Sequence, residues 1–106
     1  MGLFEFFMGA ADINAGVEEF KRTQDAVLLD VRTAEEYRGG HVPQSVNIPL
    51  QNLQMVTSKV RNKQTPLYIY CHSGSRSSQA CAGLKRLGYT NVHNIGGIMN
   101  YRGAVE

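Results

Sequence analysis

Cysteine is scarce in this chain: Cys71 and Cys81 are the only two, so at most one disulfide can form. Charge of one sign is scarce as well. Eleven Lys and Arg stand against nine Asp and Glu, for a formal charge of +2, and the basic residues are scattered rather than gathered into a stripe. Nucleic acid is therefore not an expected partner, although a local anion site remains open. No apolar run is long enough to cross a bilayer: the opening Met1 to Met8, apolar around Glu5, is far too short. It also lacks the basic start and cleavage pattern of a signal peptide, and Phe6 stands where a myristoylation signal at Gly2 wants Ser or Thr. No membrane association is expected, and the cytoplasm is the default compartment. Metal-ligand spacing is missing too. There is no C-x-x-C and no H-x-x-x-H, and His41, His72 and His93 share no ligand pattern, so neither metal nor cofactor is expected.

What is present is the composition of a globular chain, with 42% hydrophobic and 19% charged residues and no long biased tract. A length of 106 residues suits a single domain spanning 1–106. Only the apolar opening, residues 1–9, has no assigned structure; Leu3, Phe4, Phe6 and Phe7 suit an edge strand, a helix laid on the core or a partner-binding patch. Asp12 is placed to cap a helix whose apolar Ile13, Val17 and Phe20 recur at helical spacing up to Lys21 and Arg22. Ala26 to Val31 is a nearly continuous apolar run, as in a strand buried on both faces. Thr33 and Glu36 have capping-box spacing for a brief helix stopped at Gly39-Gly40. Val46 to Ile48 predicts a short strand, and Leu53, Val56 and Val60 predict a helix after Leu50. A strand over Leu67 to Tyr70, a helix over Arg76 to Leu87 capped by Gly88, and a strand over Asn91 to Ile95 complete the pattern.

Strands alternating with helices imply an α/β fold with a parallel sheet joined by right-handed crossovers. Ligands in such sheets gather beyond the carboxyl ends of the strands. Two junctions of that kind stand out, Asp30-Val31-Arg32 and Cys71-His72-Ser73-Gly74-Ser75-Arg76. In the second, a strand ends at Cys71 and a helix starts near Arg76, so four residues must turn the chain. Small residues and Gly74 let successive amides point inward at a helix N-terminus, which makes an anion-binding concavity. A thiolate held there near a cation is a ready nucleophile. The plainer reading of Cys71, a buried small hydrophobe at a strand end, is displaced by that surrounding loop. Arg76 offers a fixed charge and a fork of donors one turn from the sulfur. Ser73, Ser75 and Ser77 suit either helix capping or substrate contact, and His72 is either a solvated loop residue or an aid to the thiolate. Cys81 lies about 7 Å farther along the helix axis, too far for a bridge to Cys71, and is expected to pack against the sheet.

The residues resemble the rhodanese-like domains, whose active loop runs from a cysteine through a few small residues to an arginine. Here that loop reads C-H-S-G-S-R-S, and the likeness extends through L-L-D-V-R, E-E-Y-R-G-G-H-V-P, S-V-N-I-P and N-I-G-G-I-M-N-Y. Gln44-Ser45 and Tyr101 depart from the pattern, which commonly has a small pair and a tryptophan there. The resemblance implies a central parallel sheet of about five strands with helices on both faces. It also implies a sulfurtransferase in which Cys71 takes the outer sulfur of thiosulfate or a similar donor, then passes it to cyanide or a thiol, free or on a protein. His72, Ser73, Gly74, Ser75 and Arg76 would hold the anion, with Ser77, Asp30 and Arg32 in support, the last two chiefly as a turn-fixing ion pair. His41 matches a structural position. The expected partners are a small anionic sulfur donor and a thiol or protein acceptor, and the expected state is a monomer or weak homodimer.

Two other functions suit parts of this pattern. A cysteine-dependent phosphatase would also use a thiolate loop ending in arginine, but the four residues between Cys71 and Arg76 are one fewer than such enzymes carry, and no aspartate lies in the loop. A regulatory binding module of the same family need not keep the cysteine. This chain does keep it.

Overall fold

The computed structural model of the chain describes residues 12–106, and the expectations for Leu3 to Met8 fall outside them. Helix α1, Ile13–Arg22, begins where Asp12 accepts from the amides of Asn14 and Ala15, and it ends with Lys21 and Arg22 at the negative end of its dipole. It buries Ile13, Val17 and Phe20. Strand β1, Val27–Asp30, is followed by helix α2, Ala34–Arg38, whose capping box pairs the Thr33 side chain with the Glu36 amide and the Glu36 side chain with the Thr33 amide. Strand β2 is only Val46–Asn47. Helix α3, Val56–Lys59, comes next, then strand β3, Leu67–Cys71, helix α4, Ser75–Arg86, and strand β4, Val92–Gly97.

The strands form one parallel sheet in the order β2-β1-β3-β4. Among the described residues it has four strands rather than about five. The apolar opening, for which an edge strand was one of three readings, lies outside them. The fully buried β3 divides its side chains by the two-residue period of a strand. Leu67, Ile69 and Cys71 join Leu29, Ala80 and Leu84 in a core beneath α4. Tyr68 and Tyr70 join Ile13, Val17 and Phe20 in a second core beneath α1. Helices thus cover both faces, as an all-parallel sheet requires.

Two segments depart from the expected pattern. The helix anticipated from Leu50 is a 3-10 turn, Leu50–Met55, broken by the non-helical backbone of Asn52 before α3 begins. Its start at Pro49 has no side-chain cap to hold a first α-turn. Strand β4 continues past Ile95 to Gly97 through a bulge, in which Ile69 pairs with Asn94 but Tyr70 pairs with Gly96. That extra residue carries Gly96 and Gly97 up beside the end of β3.

Gln44, which stands where the family pattern has a small residue, adopts a left-handed φ of 74°. Glycine would relieve that strain at the cost of unfolded-chain entropy. Gln44→Gly is therefore expected to raise stability by about 0.5–1 kcal/mol, read from the midpoint of urea unfolding.

Candidate active site

The chain leaves β3 at Cys71 and enters α4 at Ser75, so the loop between them is three residues long, one shorter than expected. Gly74 sets the first turn with a left-handed φ of 110°, which a side chain would strain. The turn folds back over the sulfur. Cys71 Sγ accepts from the Gly74 amide at 3.0 Å and the Ser77 amide at 3.3 Å, and Ser77 Oγ stands 3.5 Å away. Burial pushes the Cys71 thiol up, but the Ser77 hydroxyl and the amides of Ser77, Gly74 and Ser73 outweigh it, leaving the thiol below its ordinary value.

The sulfur does not stand open to solvent as the sequence led us to expect. Cys71 is 1% exposed, beneath a loop whose His72, Ser73 and Ser75 are exposed. A reaction partner must present a slender terminal atom to reach it.

Cys81 gives a contrast within the same chain. Packed against the sheet side of α4, it makes no bridge, and burial pushes its thiol up to about 11. With iodoacetamide at neutral pH, Cys71 is expected to be alkylated ahead of Cys81, and its reaction to persist to lower pH than that of an ordinary thiol. Peptide mapping of the labelled protein across a pH series reads both.

The loop rests on the end of β4. A Cβ built on Gly97 would strike the carbonyl of His72 and the backbone of Ser73, while the His72 carbonyl accepts from the Met99 amide at 3.1 Å. Asn94, also on β4, reaches the loop from below: its Oδ1 accepts from Ser77 Oγ at 2.7 Å and from the Gly96 amide at 3.0 Å. Sequence reasoning had not singled out Asn94. Its signal, an asparagine two residues before a Gly-Gly step, is meaningful only once the bulge is known.

Arg76 is placed differently from the free anion-holding guanidinium that was expected. Its two terminal nitrogens donate to the two carboxylate oxygens of Glu36 at 2.8 and 3.0 Å. This forked pair is the reason Glu36 titrates far down, at about 2. The Cys71 charge nevertheless contributes to the raised value of Arg76, so the guanidinium feels the sulfur while being held by a carboxylate. Glu36, read from sequence only as a helix cap, thus has a second duty that folding alone reveals.

Asp30 and Arg32 form a buried ion pair at the neighbouring strand end. Asp30 Oδ2 accepts from Arg32 at 2.7 Å, and the same guanidinium donates to the Gly40 carbonyl at 2.8 Å. With Asp30 at 0% and Arg32 at 5% exposure, the pair fixes the turn after β1 rather than facing a ligand. His41 stacks on Tyr37 with ring centres 3.7 Å apart, and its Nδ1 lies 2.9 Å from the Tyr37 carbonyl oxygen. No cluster of three potential metal ligands occurs among the described residues.

Comparison with known proteins converges on one group. Residues 15–104 match the family described as Rhodanese-like domain. The chain is 40% identical to a protein named sulfurtransferase from Allochromatium vinosum, over 73% of this chain and 72% of that one. It is 38% identical to thiosulfate sulfurtransferase PspE of Escherichia coli, over 66% of this chain and 68% of the relative. It spans only 27% of one further curated relative and 51% of another. Among solved structures, one described as a rhodanese with anions from E. coli superposes with a TM-score of 0.71 at 33% identity, covering 76% of this chain and 96% of that one.

Proposed function

The chain belongs to the rhodanese-like domain family, and on that premise we propose that it is a sulfurtransferase that carries sulfur as a persulfide on Cys71. The observation that carries this reading is the pair of amides at 3.0 and 3.3 Å from Sγ, which favour a thiolate inside a loop of three residues. The thiolate attacks the outer sulfur of thiosulfate or a similar donor. The donor's S–S bond breaks, its electron pair leaves with sulfite, and a persulfide remains on Cys71. Cyanide or an acceptor thiolate then attacks the outer sulfur and releases the Cys71 thiolate. In this reading the amides of the turn also receive the incoming anion. The relatives named sulfurtransferase and thiosulfate sulfurtransferase support the same reading. No metal or cofactor is needed for these steps, and we place the protein in the cytoplasm as a monomer or weak homodimer.

The test is intact-mass analysis after exposure to thiosulfate. A gain of one sulfur that cyanide removes as thiocyanate is the expected result. Phosphate release from an aryl phosphate without any sulfur gain would favour the phosphatase reading instead. That reading is weakened by the Glu36 carboxylate, which occupies the guanidinium that a phosphoester cradle would need. Absence of both reactions would favour a regulatory module.

Arg76 acts at a distance in this scheme, through its charge. Arg76→Ala leaves Glu36 unpaired beside the anion site, so the thiosulfate KM is expected to rise about tenfold while kcat falls less. Initial-rate kinetics separate the two, and a loss confined to kcat would assign Arg76 to the transition state.

A further inference from the structure

Ser77 is fully buried and its hydroxyl has a single proton, yet two oxygen acceptors compete for it beside the Cys71 sulfur, which donates to the hydroxyl as a thiol and accepts from it as a thiolate. Asn94 Oδ1 lies at 2.7 Å, the Gly74 carbonyl at 3.0 Å and Cys71 Sγ at 3.5 Å. The Gly74 carbonyl is already served by the Ser78 amide at 3.1 Å and by Asn94 Nδ2 at 3.4 Å. Asn94 cannot turn its amide over, because the Gly96 amide donates to Oδ1 at 3.0 Å and requires an oxygen there. The shortest contact is therefore a fixed acceptor competing with the sulfur for one proton. While Ser77 donates to Asn94, its lone pairs face Sγ and suit a protonated thiol. When Ser77 donates to a thiolate, two oxygens are left 2.7 Å apart with no hydrogen between them.

We propose that Asn94 is a positioning residue of the nucleophile, holding the Ser77 proton so that the hydroxyl serves the Cys71 sulfur only when the sulfur carries charge. This deepens the sulfurtransferase reading and rests on it for its purpose, since in that reading the Cys71 sulfur carries charge as the thiolate and loses it when the persulfide forms. The other charges facing the sulfur are Arg76 from α4, tied to Glu36 of α2, while Asp30 and Arg32 at the end of β1 neutralise each other and His72 lies on the loop itself. None of these contacts Asn94 or Ser77 through a hydrogen bond among the described residues.

The test is the ionisation of Cys71, followed by thiolate absorbance in a Cys81→Ala background so that one thiol remains. Asn94→Leu, which keeps the branched shape and removes Oδ1, is expected to lower the midpoint by about one pH unit. In a Ser77→Ala background the same substitution is expected to shift nothing, because there is no hydroxyl proton to release. Asn94→Asp, which keeps an acceptor for Gly96, is expected to raise the midpoint, and by more when Ser77 is present than when it is alanine. An Asn94→Leu midpoint equal to the parent, or equal shifts in the two backgrounds, would overturn the proposal, and so would an Asn94→Asp rise independent of Ser77 if the leucine variant fails to fold. This readout needs no sulfur transfer, so failure of the sulfurtransferase reading, seen by intact mass, remains a separate result.

Discussion

A Cys71→Ser protein is expected to fold, to gain no sulfur from thiosulfate, and to lose at least about a thousandfold in transfer rate. The fold survives because serine fits the same small volume and its oxygen accepts from the Gly74 and Ser77 amides that now face Sγ. Its stability is expected to stay within about 1–2 kcal/mol of the parent. The chemistry does not survive. A serine hydroxyl is not ionised near neutral pH by amides that need only lower a thiol, and oxygen forms no persulfide. Intact mass after thiosulfate, with circular dichroism as the check on folding, reads both halves. A one-sulfur gain in the serine protein would move the carrier to Cys81, which burial makes a poor nucleophile.

The second large effect is expected at Gly97, which touches no substrate. An added Cβ would meet the His72 carbonyl and Ser73 Cα, both main-chain atoms that cannot swing aside like a side-chain tip. Gly97→Ala must therefore push the loop away from β4, taking the Gly74 amide with it. Misplacing reacting groups by about an ångström costs on the order of a hundredfold in rate, and overpacking costs about 1–3 kcal/mol in stability. Gly83→Ala is the control. Its Cβ would meet the tip of the Leu53 side chain at 2.7 Å, a milder crowding against a group that can shift, with no main-chain atom of the loop involved. Both variants are expected to lose stability in urea unfolding, but only Gly97→Ala to lose activity; equal activity losses would reduce Gly97 to a packing residue.

Several elements were legible because their signals are local. The Asp12 cap, the Thr33 and Glu36 capping box, and the glycine after Leu87 each act within one turn of backbone, and the structure shows each of them. The helix over 13–22 was readable because its apolar positions repeat at the helical period. The segment from Leu50 misled for the same reason. Leu53 and Val56 do pack on the α4 side, but periodicity does not register that Asn52 leaves helical geometry. The loop was legible as a thiol next to small residues and a helix start.

The order of residues was sufficient for the parallel α/β class, for the family likeness and for Cys71 as the candidate nucleophile, because apolar runs, caps and a six-residue turn all operate over short stretches of chain. Tertiary structure alone decided that Arg76 answers to Glu36, that Gly97 supports the loop and that Asn94 competes for the Ser77 proton. Each of those partners lies 17 or more residues away in sequence. They meet only because parallel strands bring the ends of β3 and β4 together, with α2 packed nearby. A one-residue bulge at Ile95 sets which side chain of β4 faces the sulfur, and sheet register is settled by packing and is not written in any local pattern.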